Sequence, residues 1–270
     1  MSDSRPLEAD KSTAGYYSLA SFINAVYCRR WGYDFLYFRT PPIAIGRSMH
    51  DVARIGKSFV TRLLSGGVRR LTQERTCCYN TLLDEPRAAA WAKLLAVRDA
   101  LSRDDSTVVY IDSDCIFLDH AMSVEEFVET TPVRAGSTFT NSCIGFLKNS
   151  PWLENSPCSG FFVAKNGSET RSFLREWWDH PNPEHGFAHD FEQSSLREIF
   201  PVTAAKLCVW DSLFFVEQEG QFLRHVSSDQ RELRRPYFLR IAETLELRST
   251  VRFGDVIAGV AEQFLSSSSW

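Results

Sequence analysis

Two carboxylates one residue apart, Asp112 and Asp114 on either side of Ser113, directly follow the β-branched apolar run Thr107 to Ile111. A buried strand ending this way delivers both side chains to the carboxyl edge of a sheet, where open α/β folds bind ligands. At this spacing the two carboxylates can serve one hard cation, and the small Ser113 lets the backbone turn closely between them. Oxygen ligands suit Mg²⁺ or Mn²⁺, and such an ion neutralises a diphosphate leaving group. The plain alternative is a polar strand end whose aspartates cap the next turn. Against that, no basic residue adjoins the pair in sequence, so the apolar flanks would strand two carboxylates without a counter-charge. A phosphatase D-x-D-x-T motif is disfavoured, because Cys115 is followed by Ile116 and not by the threonine, and the motif is not in a first strand.

The elements needed to position these residues can be read from periodicity. Leu19, Phe22, Ile23, Val26 and Tyr27 recur at helical spacing over 16–31, and Gly32 ends that helix. Tyr33 to Phe38 reads as a short buried strand stopped by Pro41-Pro42. Residues 42–85 offer little beyond a possible short helix near 51–64. A second amphipathic helix covers 87–102, with Trp91, Leu94, Leu95 and Leu101 on one face. Thr107 to Ile111 has the composition of a central parallel strand. Ser123 and Glu126 form a capping box that opens a short helix. Strands follow at 143–147 and 160–164, helices at 168–179 and 190–200, and strands near 206–210, 212–217 and 221–226. Helices alternating with apolar strands predict an α/β fold with a mostly parallel sheet.

The chain has 270 residues, 44% hydrophobic and 24% charged, with a net charge of −4. It is long enough to bury a substantial core, and nothing in its charge invites a nucleic acid. Arg231-Glu232-Leu233-Arg234-Arg235 reads as a solvated helix face. The polar start lacks a signal peptide's apolar core, and no window reaches the length of a membrane span. The seven cysteines lack metal-finger spacing and read as buried thiols in a reducing compartment. The expectation is a cytoplasmic protein or a soluble fragment.

Five blocks in order resemble the galactosyl/xylosyltransferases of the GMA12/MNN10 type. They are Asn24, Tyr27 and Trp31-Gly-Tyr-Asp34; Trp91-Ala-Lys93 through Val109-Tyr-Ile-Asp-Ser-Asp114; Ser159-Gly-Phe-Phe-Val-Ala-Lys-Asn166; His189-Asp-Phe-Glu-Gln-Ser-Ser-Leu196; and Gly220-Gln-Phe-Leu-Arg-His225. The resemblance implies a GT-A (Rossmann-like) fold, a mostly parallel mixed sheet flanked by helices. A nucleotide-sugar half would cover about 15–120, an acceptor half about 121–230, and a helical segment 231–270. It implies transfer of a hexose or pentose from a UDP- or GDP-sugar to a saccharide hydroxyl, with retention, aided by Mn²⁺ or Mg²⁺ on Asp112, Asp114 and His225. Lys93, Asp112, Ser113, Ser159 and Gly160 would surround the donor. In the family the end of a strand before the first helix helps hold the base; no such strand is read in 1–15, so Tyr16 or Tyr17 is the candidate to stack on the base instead. Glu192 and Gln193 would stand at the sugar face. Asp190 also suits an N-cap with Gln193 as its capping partner, and Asp190 or Glu192 could act as a base if the enzyme inverted.

Two other readings compete. A sugar-1-phosphate nucleotidyltransferase shares the sheet and the metal logic, but should carry a Gly-rich basic phosphate loop near the N-terminus, and none is present. A catalytically silent relative that binds sugar or nucleotide, or serves as a scaffold, is the other.

Overall fold

The computed structural model describes residues 1–3, 5–39, 76–80, 82, 85–103, 107–150, 153–180, 191–213, 222–226 and 231–265. The possible helix near 51–64, Asp190 and most of the strand expected at 212–217 lie outside these residues. A five-stranded mixed sheet has the order β5 (Thr107–Ile111), β9 (Leu153–Lys165), β8 (Ile144–Ser150), β10 (Leu207–Leu213) and β7 (Val133–Gly136). A second sheet places β2 (Leu36–Arg39) between β1 (Ser2–Asp3) and β12 (Ala261–Phe264), with all strands parallel. Two smaller pairs are β6 (Cys115–Phe117) with β11 (Leu223–His225) and β3 (Thr76–Asn80) with β4 (Glu85–Ala88).

The helices are α1 (Tyr16–Trp31), α2 (Ala92–Leu101), α3 (Val124–Thr130), α4 (Ser168–Trp178), α5 (Phe191–Thr203), α6 (Arg231–Arg248) and α7 (Phe253–Ala258). They cover both faces of the large sheet. Along β9, Phe161 and Val163 pack with Leu19, Phe22 and Phe253 of α1 and α7, while Phe162 and Ala164 pack with Leu94, Trp177 and Leu196 of α2, α4 and α5. Strand alternation sends successive side chains to opposite faces, so a strand covered on both sides reads as a continuous apolar run. Among the described residues, no helix is long and apolar enough to cross a membrane.

Local signals account for several boundaries. Gly32 stops α1 in a left-handed conformation (φ 72°), its backbone N–H donating to the Cys28 carbonyl, and Ser123 caps α3 by accepting from the Glu126 N–H at 3.0 Å. Cys28, Cys115, Cys143, Cys158 and Cys208 are buried and unbridged.

Strand direction departs from the sequence reading. Thr107–Ile111 runs antiparallel to β9 and lies at the end of the described five-stranded sheet, not in the centre of a parallel one. A short apolar run looks the same whichever way its neighbour runs. The segment after residue 231 is not wholly helical either, since Ala261–Phe264 adds a strand beside β2.

One buried amide decides where the Asp112–Asp114 segment sits. Asn24, on α1, donates from Nδ2 to the Cys115 carbonyl at 2.9 Å and accepts from the Phe117 N–H at 3.0 Å. It thus completes one edge of β6 while β11 completes the other, and Tyr27 stacks on Phe117 one turn later with ring centroids 3.9 Å apart. Asn24→Leu would leave a buried donor and a buried acceptor unmet. The expected loss is about 2–4 kcal/mol, read from the urea midpoint at unchanged slope.

Candidate functional site

The segment after β5 is a turn. Asp112 N–H donates to the Gly160 carbonyl at 2.8 Å, and the Asp112 carbonyl accepts from Cys115 N–H at 3.1 Å. The chain therefore bends between the two aspartates, and their carboxylates meet different partners. Asp112 turns towards Lys93. Its carboxylate lies 3.1 Å from Lys93 Nζ, and its Oδ1 accepts from the Tyr110 hydroxyl at 2.9 Å.

Lys93 comes from the first turn of α2 and is almost wholly buried, 3% exposed. Its ammonium also lies 2.6 Å from Glu192 Oε1 and donates to the Ser159 carbonyl at 3.2 Å. Glu192 Oε1 accepts from Ser159 Oγ at 2.9 Å. Gln193 holds the same stretch of β9, accepting from Ser159 N–H at 2.7 Å and donating to the Pro157 carbonyl at 2.8 Å. Here β9 bulges, for Phe146 of β8 faces Phe162 while its neighbour Leu147 faces Cys158. The extra residues Ser159 to Phe161 aim Ser159 at Lys93, a common use of bulges beside functional sites.

Electrostatics follow from this packing. Burial opposes the charge on Lys93, but Asp112 and Glu192 more than offset it and raise its pKa above the ordinary lysine value. Burial also raises the Glu192 carboxyl above the usual range, Lys93 pulling it back and Asp112 pushing it further up.

Asp114 faces a second group. Its Oδ1 is 3.2 Å from His225 Nε2 and its Oδ2 is 2.6 Å from Arg234 Nη2. His225 arrives because β11 pairs with β6 in the register His225 opposite Cys115, with Val226 N–H donating to the Asp114 carbonyl at 3.0 Å. Burial would lift the Asp114 carboxyl, but His225 and then Arg234 overcome it and hold it down to about 2.

Asp114, Cys115 and His225 each offer a ligand atom within 4.8 Å of the others. Burial pushes the Cys115 thiol well above its ordinary value, and sulfur is a soft donor ill suited to Mn²⁺ or Mg²⁺. Asp114 and His225 remain, an oxygen and a nitrogen whose separation of 3.2 Å is close to that of neighbouring ligands on one Mn²⁺ or Mg²⁺. These ions commonly take only one or two protein ligands and complete their shell with phosphate and water.

The structure thus gathers Lys93, Asp112, Ser159, Glu192 and Gln193 into one cluster, next to Asp114 and His225. Ser113 forms the tip of the turn between the aspartates, and Gly160 supplies the carbonyl that anchors it. Tyr16 is engaged by two arginines: the guanidiniums of Arg5 and Arg234 lie 4.8 and 5.0 Å from its ring centroid, and Arg5 Nη2 donates to its hydroxyl at 3.0 Å.

Two site residues escaped the sequence reading. Arg234 is not part of a solvated face: it is 6% exposed and in line with Phe238 and Ala242, both fully buried. The i, i+4, i+8 spacing of those three was the available signal. Tyr110, two residues before Asp112, has no role in the sequence reading beyond the strand it lies on, yet its hydroxyl donates to Asp112.

The sheet with helices on both faces, ending in this carboxylate-bearing turn, is a mixed α/β Rossmann-like fold of the kind glycosyltransferases use. A solved glycosyltransferase involved in the glycosylation of the major capsid of PBCV-1 shares it, with a TM-score of 0.53 over 83% of this chain and 91% of that one. The two are 14% identical, so the likeness is one of fold. No family model and no curated protein matches the sequence.

Lys93→Met would leave the buried Glu192 carboxylate facing that of the partly exposed Asp112 without a counter-charge, and should cost about 3–5 kcal/mol at pH 7 in urea denaturation. Adding Glu192→Gln should recover part of that loss, and a double variant no more stable than Lys93→Met would contradict the pairing. Asp114 contributes stability above its ordinary pKa of 3.8 that is lost as the pH falls towards about 2. The stability gap between wild type and Asp114→Asn should therefore be widest above about pH 4 and narrow by about 2 kcal/mol towards pH 2.

Proposed function

We propose that the chain is a glycosyltransferase that moves a sugar from a UDP- or GDP-sugar to a saccharide hydroxyl, with Mn²⁺ or Mg²⁺ at Asp114 and His225, and that it belongs with the GMA12/MNN10 type. One observation carries the reading. Residues from four separate sequence blocks, Lys93 and Asp112, Ser159, Glu192 and Gln193, and His225, converge at the turn that follows one strand. Core packing needs no lysine between two carboxylates at such a place.

The roles follow from exposure. The Asp112 side chain is 28% exposed and that of Glu192 5%, so Asp112 is the one presented to a ligand. Glu192 acts from behind, fixing Lys93 and Ser159, while Gln193 holds the bulge so that Ser159 and Gly160 line the donor's path with backbone. Lys93 keeps a positive charge close to where a leaving diphosphate gathers negative charge, a preorganised stabilisation that requires no reorientation during the reaction. A bound divalent cation supplies further neutralisation of that diphosphate. Asp114 and His225 would hold it. Catalysis is then mostly charge stabilisation and positioning, with retention of configuration.

The test is thermal unfolding against a panel of nucleotide-sugars with and without Mn²⁺. A true donor at about a hundredfold its Kd should add about 2.7 kcal/mol, raising the melting temperature by about 5 °C or more, and only with the metal. Asp114→Ala should abolish the metal-dependent part. A panel in which no donor shifts the transition overturns the proposal.

A further inference from the structure

We infer that Arg234 is a resident counter-cation for Asp114, which makes metal binding at Asp114 conditional on a nucleoside diphosphate. The inference rests on the donor reading above and goes beyond it to the order in which the site fills. Both oxygens of Asp114 are taken in the free protein, Oδ1 facing His225 at 3.2 Å and Oδ2 held by Arg234 at 2.6 Å. Arg234 is itself fixed on three sides. Its Nε donates to the Val226 carbonyl at 2.6 Å, its Nη2 meets Asp114, and its guanidinium lies over the Tyr16 ring. Arg5 places a second guanidinium over the same ring.

A dication approaching Asp114 alone meets a like charge already seated on the ligand oxygen. The Asp114–Arg234 pair is neutral, so an added dication leaves two positive charges without partners in a largely buried place. A diphosphate supplies the negative charge that cancels them, and a guanidinium fork is well matched to phosphate oxygens. Once Arg234 turns to the diphosphate, Asp114 Oδ2 becomes available. Neither ligand binds well alone, and together they restore the local charge balance.

Titration calorimetry of Mn²⁺ into the full chain, with and without saturating UDP or GDP, tests this. Wild type should bind Mn²⁺ at least about tenfold more tightly with the nucleotide. Arg234→Gln should bind Mn²⁺ alone at least about tenfold more tightly than wild type, and the nucleotide should then add little. Arg234→Lys, which keeps the charge, should restore the dependence on nucleotide. The Mn²⁺ electron paramagnetic resonance spectrum should show the same pattern, which a merely structural arginine would not produce. Wild-type Mn²⁺ affinity that is equal with and without nucleotide overturns the inference and leaves the donor reading standing, whether or not the glutamine variant folds. So does an Arg234→Gln chain that folds and binds Mn²⁺ no better than wild type. If wild type binds neither Mn²⁺ nor nucleotide in any combination, both fall.

Discussion

The ammonium of Lys93 ties together more of this molecule than any other group. It sits on α2, yet its partners are the end of β5, the bulge of β9 and the first turn of α5. Taking a lysine out of water costs several kcal/mol unless opposite charge and oxygen acceptors surround it. That condition can be met only if all three elements are in register, with Asp112 just past the end of its strand, Ser159 aimed inward and Glu192 facing α2. The bulge at Ser159 to Phe161 follows from this, since a regular strand would alternate Ser159 and its neighbours differently across the sheet. Gln193 makes the irregularity tolerable by bonding to backbone groups of β9 at Pro157 and Ser159.

The two aspartates share a motif but not an environment. In an extended strand, residues two apart point to the same side and would suit one cation jointly. The turn closed by Cys115 N–H on the Asp112 carbonyl parts them. Asp112 joins the internal cluster around Lys93, and Asp114 joins His225 and Arg234. The protein's own cations meet both carboxylates, so the pair does not demand a metal on electrostatic grounds alone. The case for a ligand rests on what else converges there.

Much of this could be read from sequence where the signal was local. The α1 helix, its stop at Gly32 and the Ser123 cap depend on neighbours within a few residues, and they stand where the pattern put them. The run Thr107–Ile111 was legible as a strand because five apolar and β-branched residues have no other easy reading. Its direction and neighbour were not, because pairing with β9 is a contact across some fifty residues, one that leaves no trace in periodicity. Arg234 was hidden for a similar reason. Charge in a basic stretch suggests solvent, and its partner Asp114 is far away in sequence. Only the buried Phe238 and Ala242 further along α6 mark that face as inward. The bulge was not legible, since nothing in the apolar run 160–164 tells which residue β9 re-aims.

Both cations are buried, Lys93 3% and Arg234 7% exposed in the side chain, but the partners closest to them are not equally so. Lys93 is 3% exposed and its closest partner, Glu192, 5% exposed in the side chain. Breaking that contact would leave a charge uncompensated in a poorly polarisable interior, so the arrangement is effectively permanent. At the Asp114 side chain the exposure is 17% and at His225 16%. Water or a ligand can reach these groups, and a partner given up by one can be replaced from outside. A site that must bind and release a charged donor needs both kinds of contact, one that holds its geometry through every state and one that exchanges. The fold provides both, with the Lys93–Glu192 pair fully buried and the Asp114–His225 pair partly open to solvent.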